Sequence, residues 1–414
     1  MMRLLDVPEI RSLSSLTQDG RLLFRTRILR LFAYGLISVI LVLYLAQVGF
    51  DEGQIGLLLS LTLMGDTAIS LWLTTHADRV GRRRTLLIGA GLMILAGGIF
   101  GFVENYFVLV LAAVIGTISP GGNDVGPFLA VEQSGLAQTI PDSHRTQIFA
   151  WYNLAGSMAT ACGALCAGGL TWLLQHLGTL PLMSYRVILI LYALLGCLLL
   201  LTFRQLSSAM EPSTPPHTQT FGLNRSRKII FRLSALFALD AFGGGLVVQS
   251  FVAYWFFIRF GADAAVIGAI FFGANLFSGL SALAAARIAA RIGLVNTMVF
   301  THLPSNILLI LIPLMPSLPL AVLVLLARFS ISQMDVPTRQ SYVMAVVDPN
   351  ERSAAAGVTG IIRTMGAACS PVLSGIMLGA GWLSLPFFAA GSFKIVYDLI
   401  LYRSFRALKP HESQ

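Results

Sequence analysis

The stretch from Gly65 to Thr85, GDTAISLWLTTHADRVGRRRT, joins the end of one apolar segment to the start of the next. The polar connector from His76 to Arg84 leaves no slack between two membrane-length segments, so it predicts a tight helical hairpin. The connector carries four arginines, and positive charge in a short loop indicates the cytoplasmic side of a membrane. Gly81 suits the turn, because glycine adopts backbone angles that clash for other residues.

The composition is that of a polytopic membrane protein. Of the 414 residues, 56% are hydrophobic and 11% are charged, whereas a soluble domain carries about 25% charged residues. Apolar stretches of about 20 residues recur along the chain, and no strand-type alternation or barrel pattern competes with them. The net charge of +9 concentrates in segments assigned to the cytoplasm, which indicates contact with anionic lipid of the bilayer and no nucleic-acid partner.

The apolar segments predict an all-α membrane protein with twelve transmembrane helices and both termini on the cytoplasmic side. The predicted helices cover about 29–48, 55–76, 85–103, 106–133, 146–174, 187–203, 230–257, 265–286, 296–315, 318–347, 354–378 and 386–402. The only long polar stretch, rich in Pro, Ser and Thr, predicts a linker between two bundles. The expected domains are a cytoplasmic arm (1–26), a six-helix bundle (27–203), a cytoplasmic linker (204–229), a second six-helix bundle (230–402) and a cytoplasmic tail (403–414).

An internal repeat supports the division into two halves. The matched segments are Gly49–Gly56 with Phe260–Gly268, Arg79–Gly81 with Arg291–Gly293, and Pro141–Thr146 with Pro349–Ser353. Each match is weak alone, but they occur in the same order and at similar spacing. Duplication of a six-helix unit explains this pattern.

The loop Asp78-Arg79-Val80-Gly81-Arg82-Arg83-Arg84 resembles a motif of the major facilitator superfamily transporters, where it joins the second and third helices. The usual form of that motif is G-x-x-x-D-R-x-G-R-R/K, and Thr74 stands where its first glycine would be. The resemblance covers about Ile28 to Tyr402. It implies two pseudo-symmetric six-helix bundles that move a small solute across the membrane by alternating access.

The resemblance also implies residues that control the conformational change. In that family, a glutamate of the fourth helix and an arginine of the next loop latch the cytoplasmic side together with the loop motif. Glu132 and Arg145 stand at these positions, and Arg339 and Arg352 are their counterparts in the second half. With them, the implied gating residues of the loop are Asp78, Arg79, Gly81, Arg82 and Arg83.

Ionisable residues inside the predicted helices are candidates for the transport pathway, because a charge in the bilayer core is costly unless it is paired or hydrated. They are Asp66, Asp124, Glu132, Asp240, Arg328, Asp335, Arg339, Arg363, Lys394 and Asp398. At about 1.5 Å per residue, Asp66 and Asp240 fall near the middle of the membrane. Glu132, Arg339 and Asp398 fall near its inner face.

The fourth and tenth helices are interrupted at matched places, Ser119–Pro127 and Ser332–Gln340. An interrupted helix frees backbone polar groups, which is tolerable only against a polar cavity. The first, fourth, seventh and tenth helices line the pathway in the resembled family. The residues thereby implied at the cavity are Asp124, Asp240 and Asp335, with Tyr34 and Gln249 as hydrogen-bonding partners. An alternative stays open, in which prolines only kink the helices and the acids pair with arginines.

No Walker motif, catalytic triad or metal signature occurs, so we expect neither an enzyme nor an ATP-driven pump, and no cofactor or metal. We expect secondary active transport of a small organic solute, coupled to protons through a buried carboxylate. Burial disfavours the charged form of an acid. The candidate proton carriers, in order, are Asp240, Asp66 and Asp124.

Two substrate classes compete. Efflux of amphiphilic compounds fits a cavity with aromatic residues and acids, and transport of an organic anion fits Arg328, Arg339 or Arg363 facing the solute. An uncoupled facilitator or a transporter-like receptor is the alternative of another class. We expect a monomer in the cell membrane.

Overall fold

The computed structural model describes residues 16–140, 142–211, 226–348 and 351–406, and its regular elements are all helices. The first half contains α1 (Gln18–Val48), α2 (Glu52–Val80), α3 (Arg82–Phe102), α4a (Tyr106–Ile115), α4b (Phe128–Thr139), α5 (Asp142–His176) and α6 (Pro181–Phe203). The second half contains α7a (Arg227–Leu246), α7b (Gln249–Phe260), α8 (Ala264–Ile292), α9 (Leu294–Leu311), α10a (Leu318–Ser332), α10b (Asp335–Ala345), α11a (Arg352–Ala368), α11b (Pro371–Gly379) and α12 (Leu385–Phe405).

These helices confirm the predicted all-α membrane architecture. Among the described residues, eleven stretches are long and apolar enough to cross a membrane, and α4a is a shorter apolar helix that α4b continues. The face that carries Gly81 and Gly293 is called the terminal face here, because the described chain also begins and ends there. The opposite face is called the far face.

The first helix begins earlier than predicted, at Gln18 instead of about Leu29. Thr17 caps it by accepting a hydrogen bond from the Gly20 amide on its Oγ1 at 3.1 Å. Asp19 then accepts hydrogen bonds from the Ser207 amide at 3.0 Å and hydroxyl at 2.5 Å, which ties α1 to the segment after α6. Hydropathy does not detect this extension, because its residues are polar and basic.

The sequence repeat corresponds to matched local structures. Asp51 and Asp263 cap α2 and α8, and each accepts a hydrogen bond at 2.8 Å from the backbone amide three residues later. Gly81 and Gly293, which separate α2 from α3 and α8 from α9, have φ angles of 103° and 88°. Residues that carry a side chain rarely adopt positive φ angles, so glycine is required at both turns.

The two halves meet along α5 with α8 and along α2 with α11b. Glycines permit both crossings. A Cβ atom on Gly375 would lie 2.1 Å from the carbonyl oxygen of Glu52, and one on Gly168 would lie 2.3 Å from that of Ala264. Helix axes can approach this closely only where side chains are absent.

Four of the membrane segments are interrupted within the part of the chain that the structure describes. The predicted breaks in the fourth and tenth segments are confirmed, since α4 is unwound over 116–127 and α10 at residues 333–334. The seventh segment also breaks, at Val247 and Val248, one residue after three consecutive glycines, and the sequence did not predict this break. The eleventh breaks before Pro371, which cannot continue the hydrogen-bond ladder of α11a.

Candidate functional site

A cluster of charges lies inside the first half, and we call it the N-half cluster: Arg27, Arg30, Asp124, Glu132 and Tyr152. Arg30, which is fully buried, forms ion pairs with both Asp124 and Glu132. Arg27 pairs with Asp124 at 3.0 Å. The Tyr152 hydroxyl donates to Glu132. Two guanidinium groups therefore face two carboxylates, and the charges of the cluster balance.

A second cluster lies inside the other half and is centred on Asp240 of α7a. Lys394 donates to Asp240 Oδ1 at 2.6 Å, and Arg339 donates to its Oδ2 at 3.1 Å. The same Nη1 atom of Arg339 donates to Asp335 at 2.9 Å. All four side chains are buried. The alternative that the sequence left open, in which Asp335 pairs with Arg339, is therefore observed here.

Two residues that sequence reasoning missed extend this cluster. The His302 Nδ1 atom lies 2.9 Å from Asp398 Oδ1, and its Nε2 atom lies 3.6 Å from Asp240 Oδ1. Asn306 donates to Asp398 Oδ2 at 2.9 Å. The sequence contains a signal for these two residues. A histidine and an asparagine one helical turn apart are unusual in the otherwise apolar ninth segment.

Two arginines lie beside these groups. Arg363 of α11a and Arg328 of α10a are both close enough to Asp240 and Asp335 to interact with them electrostatically. Among the described residues, neither arginine has a carboxylate within ion-pair distance. Arg363 is exposed and Arg328 is half-buried. We call the two arginines together with Asp240, His302, Asp335, Arg339, Lys394 and Asp398 the C-half cluster.

Asp66 of α2 stands apart from both clusters. Its Oδ1 atom accepts a hydrogen bond from the Gly126 amide at 2.6 Å and one from the Ser70 hydroxyl at 3.3 Å. Among the described residues it has no cationic partner. Gly126 belongs to the unwound part of α4, so Asp66 is bonded directly to the interrupted segment.

The predicted partners Tyr34 and Gln249 do not bond to the acids. The Tyr34 hydroxyl donates to the carbonyl of Val125 at 3.3 Å, and the Gln249 amide donates to the Ser38 hydroxyl at 2.7 Å. These bonds go to a backbone carbonyl and to a serine hydroxyl, and the expected role of Tyr34 and Gln249 at the cavity stays a prediction. The bond to Ser38 joins the two halves of the molecule.

Further hydrogen bonds join the halves on the far side. Ser250, next to the break in α7, donates through its hydroxyl to the carbonyls of Pro120 at 2.6 Å and Ser38 at 3.0 Å. Its amide also donates to Pro120 at 3.1 Å. The unwound part of α4 therefore rests directly on the start of α7b. Closer to the far face, Tyr254 donates to Glu52 at 2.8 Å.

The loop motif contacts a residue that the sequence did not single out, Glu211. Its carboxylate accepts hydrogen bonds from the amides of Arg82 at 2.8 Å and Arg83 at 3.2 Å, at the first turn of α3. A carboxylate is favourable there because it meets unpaired amides and the positive end of the helix dipole. The Arg82 side chain also donates to Gln138 at 2.7 Å, while Arg79 is exposed.

The residues that the resemblance implies as a cytoplasmic latch lie in different surroundings. Glu132 and Arg339 are held in the interior clusters of their own halves, and the expected position of Glu132 near the inner face gave no sign of its pairing with Arg30. The Nε atom of Arg352 donates to the carbonyl of Met344 at 3.0 Å. The side chains of Asp78 and Arg145 lie outside the described residues.

Comparisons with known proteins agree with this architecture. Residues 23–259 match the family model of the Major Facilitator Superfamily. The chain is 31% identical to the uncharacterized membrane protein YJR124C of Saccharomyces cerevisiae, over 93% of each chain. It is 30% identical to the quinolone resistance protein NorA of Staphylococcus aureus over 111 residues, which are 27% of each chain.

A solved structure shares the whole fold. It is the crystal structure of a bacterial homologue of the human lysosomal transporter Spinster, in an inward-facing and occupied conformation. The two superpose with a TM-score of 0.72 at 15% identity, over 96% of this chain and 97% of the other. With two matched sets of six membrane segments, charges buried in both and the family model across the loop motif, this chain belongs to the Major Facilitator Superfamily and is a transporter, not an enzyme.

Proposed function

We propose that the protein is a secondary active transporter that moves a small organic solute by alternating access and couples this movement to protons through Asp66. The observation that carries the proposal is the bond between Asp66 and the unwound part of α4. That segment also makes the contacts with Ser250 that join the halves on the far side. A change at Asp66 can therefore reach the contacts that must open and close.

Asp66 is suited to exchange a proton because no cation within the described residues forms an ion pair with it. Asp240, which the sequence ranked first, is held by Lys394 and Arg339. Protonating it would remove the charge that both cations bind. Asp124 is similarly held by Arg27 and Arg30. We therefore rank Asp66 first, in place of Asp240.

The proposed coupling follows from hydrogen-bond chemistry. A charged carboxylate is a stronger acceptor than a neutral carboxyl group, so proton binding weakens the bond from Gly126 to Asp66. The unwound part of α4 then loses one of its supports, and the contact with Ser250 opens more easily. In this proposal the termini lie in the cytoplasm, the protein resides in the cell membrane, and a monomer is the working unit.

The experiment compares proton-driven accumulation with exchange in proteoliposomes. Solutes that raise the melting temperature of the purified protein are identified first and then followed in vesicles with an imposed pH gradient. We expect the wild type to accumulate such a solute. We expect Asp66→Asn to retain solute exchange across the membrane but to lose accumulation, because asparagine cannot carry the proton.

Two variants serve as comparisons. Asp51→Asn changes the same group at the cap of α2 and should accumulate solute normally, since asparagine also caps helices. Asp240→Asn should weaken both transport modes together, because it leaves Lys394 and Arg339 without their shared partner. Full accumulation by Asp66→Asn would exclude its role. A wild type that only equilibrates its solute would indicate a facilitator instead.

A further inference from the structure

The C-half cluster contains more cations than carboxylates. Its carboxylates are Asp240, Asp335 and Asp398, and its permanent cations are Arg328, Arg339, Arg363 and Lys394. His302 adds a further positive charge when it is protonated. The N-half cluster has no such excess, because Arg27 and Arg30 are matched by Asp124 and Glu132.

The excess is located on two specific side chains. Arg339 and Lys394 are engaged with Asp240. Among the described residues, Arg328 and Arg363 form no ion pair, and the buried Nε atom of Arg328 has no hydrogen-bond partner at all. The Arg328 guanidinium lies over the ring of Phe329, 4.9 Å from its centroid. This contact uses the flat face of the guanidinium group, so its N–H donors stay available to a ligand.

Their depth in the membrane indicates what they face. Arg363 lies nine residues after the start of the Ala354–Gly379 span, and Arg328 lies ten residues after the start of the Leu318–Ala345 span. At about 1.5 Å per residue, both fall near the middle of the bilayer. An exposed arginine at this depth is too costly against lipid tails, so Arg363 faces water between the halves.

A planar guanidinium group without a protein partner is a ready site for a carboxylate, sulfonate or phosphate, which it binds through two parallel hydrogen bonds. We propose that Arg363 and Arg328 form the anion-binding subsite of the transport pathway and that the solute is an organic anion. This inference rests on the proposed transport function and names its substrate class. Of the three arginines that the sequence offered, Arg339 is excluded because Asp240 and Asp335 occupy it.

The test measures the local electrostatic potential and needs no knowledge of the solute. Gly360 provides the reporter position, because it is exposed, lies one helical turn from Arg363 and has no atom within 4 Å of an added Cβ. Gly360→Cys is made in full-length protein whose four free native cysteines are replaced by alanine. The rates of modification by a sulfonatoethyl and a trimethylammonium-ethyl methanethiosulfonate are compared, each relative to its rate with a free thiol.

We expect the anionic reagent to react faster at this position. Arg363→Gln should lower the ratio of anionic to cationic rates by about tenfold, since a unit charge about 6 Å away changes each rate about threefold in opposite directions. Arg363→Lys should restore most of the ratio. Arg291→Gln, at an exposed arginine near the terminal face, is the matched control and should leave it unchanged. A ratio that favours the cationic reagent, or that Arg363→Gln does not alter, would overturn the proposal.

Transport measurements separate this inference from the proposed function. Benzoate and nicotinate are compared with benzamide and nicotinamide, and organic cations are included, in the pH-gradient assay described above. Accumulation of acids that Arg363→Gln abolishes would support the inference. Accumulation of neutral or cationic solutes alone would refute it and leave proton-coupled transport intact. If no solute responds to the pH gradient, the proposed coupling fails, while the reagent ratio still decides whether the subsite attracts anions.

Discussion

Arg30 and Glu132 are both fully buried, and each depends on the other to remain charged inside a membrane. The pair is further fixed by Thr26, whose hydroxyl donates to Glu132 at 3.0 Å, and by the Tyr152 hydroxyl. Because so many partners hold Glu132, it is not suited to forming and breaking contacts during transport. At this scale the N-half cluster is a structural support.

We predict that Glu132→Gln destabilises the protein by about 3–5 kcal/mol, because it leaves Arg30 buried with a lost partner. The measurement is the melting temperature of the purified protein in detergent. Glu104→Gln is the matched control, since Glu104 also pairs with an arginine, Arg186, but is 55% exposed. Its loss should cost less than about 1 kcal/mol. Equal losses of melting temperature in the two variants would contradict the structural role of Glu132.

The sequence predicted most residues of both clusters but not their partners. A charge inside an apolar segment is visible in a sequence, because the membrane makes it exceptional. Which charges meet depends on the rotation and depth of packed helices, and a count of residues along one helix does not contain that information. Arg339 shows this, since its expected place near the inner face did not predict its bond to the mid-membrane Asp240.

At the scale of the helices, matched glycines of the repeat let helices of the two halves pack closely together. Gly56 and Gly268 occupy matched positions in α2 and α8, and each allows its helix to approach one from the other half. The nearest atoms to an added Cβ would be the carbonyl oxygens of Pro371 at 2.6 Å and Ala164 at 2.6 Å. The helices of the two halves can pack closely on the far side because a glycine, which has no side chain, stands at each crossing.

We predict that Gly375→Ala prevents this close approach, because its Cβ would lie 2.1 Å from the Glu52 carbonyl oxygen. The measurement is the yield of a disulfide between Ser60→Cys and Val372→Cys, whose native side-chain oxygen and amide nitrogen lie 2.9 Å apart across α2 and α11b. The yield should fall severalfold. Gly169→Ala, where an added Cβ meets nothing within 4 Å, should leave it unchanged. An undiminished yield in Gly375→Ala would contradict the account of the crossing.

Helix breaks were predictable where the sequence contains proline. Pro120 lies within the unwound part of α4, Pro127 is its last residue, and Pro337 follows the break in α10. The break in α7 has no proline and follows a run of glycines, which tolerate many backbone conformations and therefore do not point to one. Just after the break, Ser250 donates to the carbonyls of Pro120 and Ser38 of the other half, and a contact between the halves cannot be read from the local sequence.

At the scale of the whole molecule, the two halves repeat the backbone but not the charges. In the first half a base on α1, Arg30, meets acids on α4, whereas in the second an acid on α7, Asp240, meets a base on α10. The charges of the N-half cluster balance, and the C-half cluster carries an excess of positive charge on Arg363 and Arg328. The duplication produces two halves that can move against each other. Their unequal charges give the first half a structural cluster and the second half the proposed solute-binding site.

The central claim is that the halves must separate on the far side for transport to proceed. The most direct measurement is solute uptake by Ser60→Cys/Val372→Cys protein in proteoliposomes, before oxidation, after oxidation and after reduction. A disulfide at this position holds α2 against α11b across the two halves. Asp19→Cys/Ser207→Cys joins two segments of the same half and is the control. The account predicts that oxidation stops uptake in the first variant alone and that reduction restores it. Undiminished uptake with the disulfide formed would contradict it.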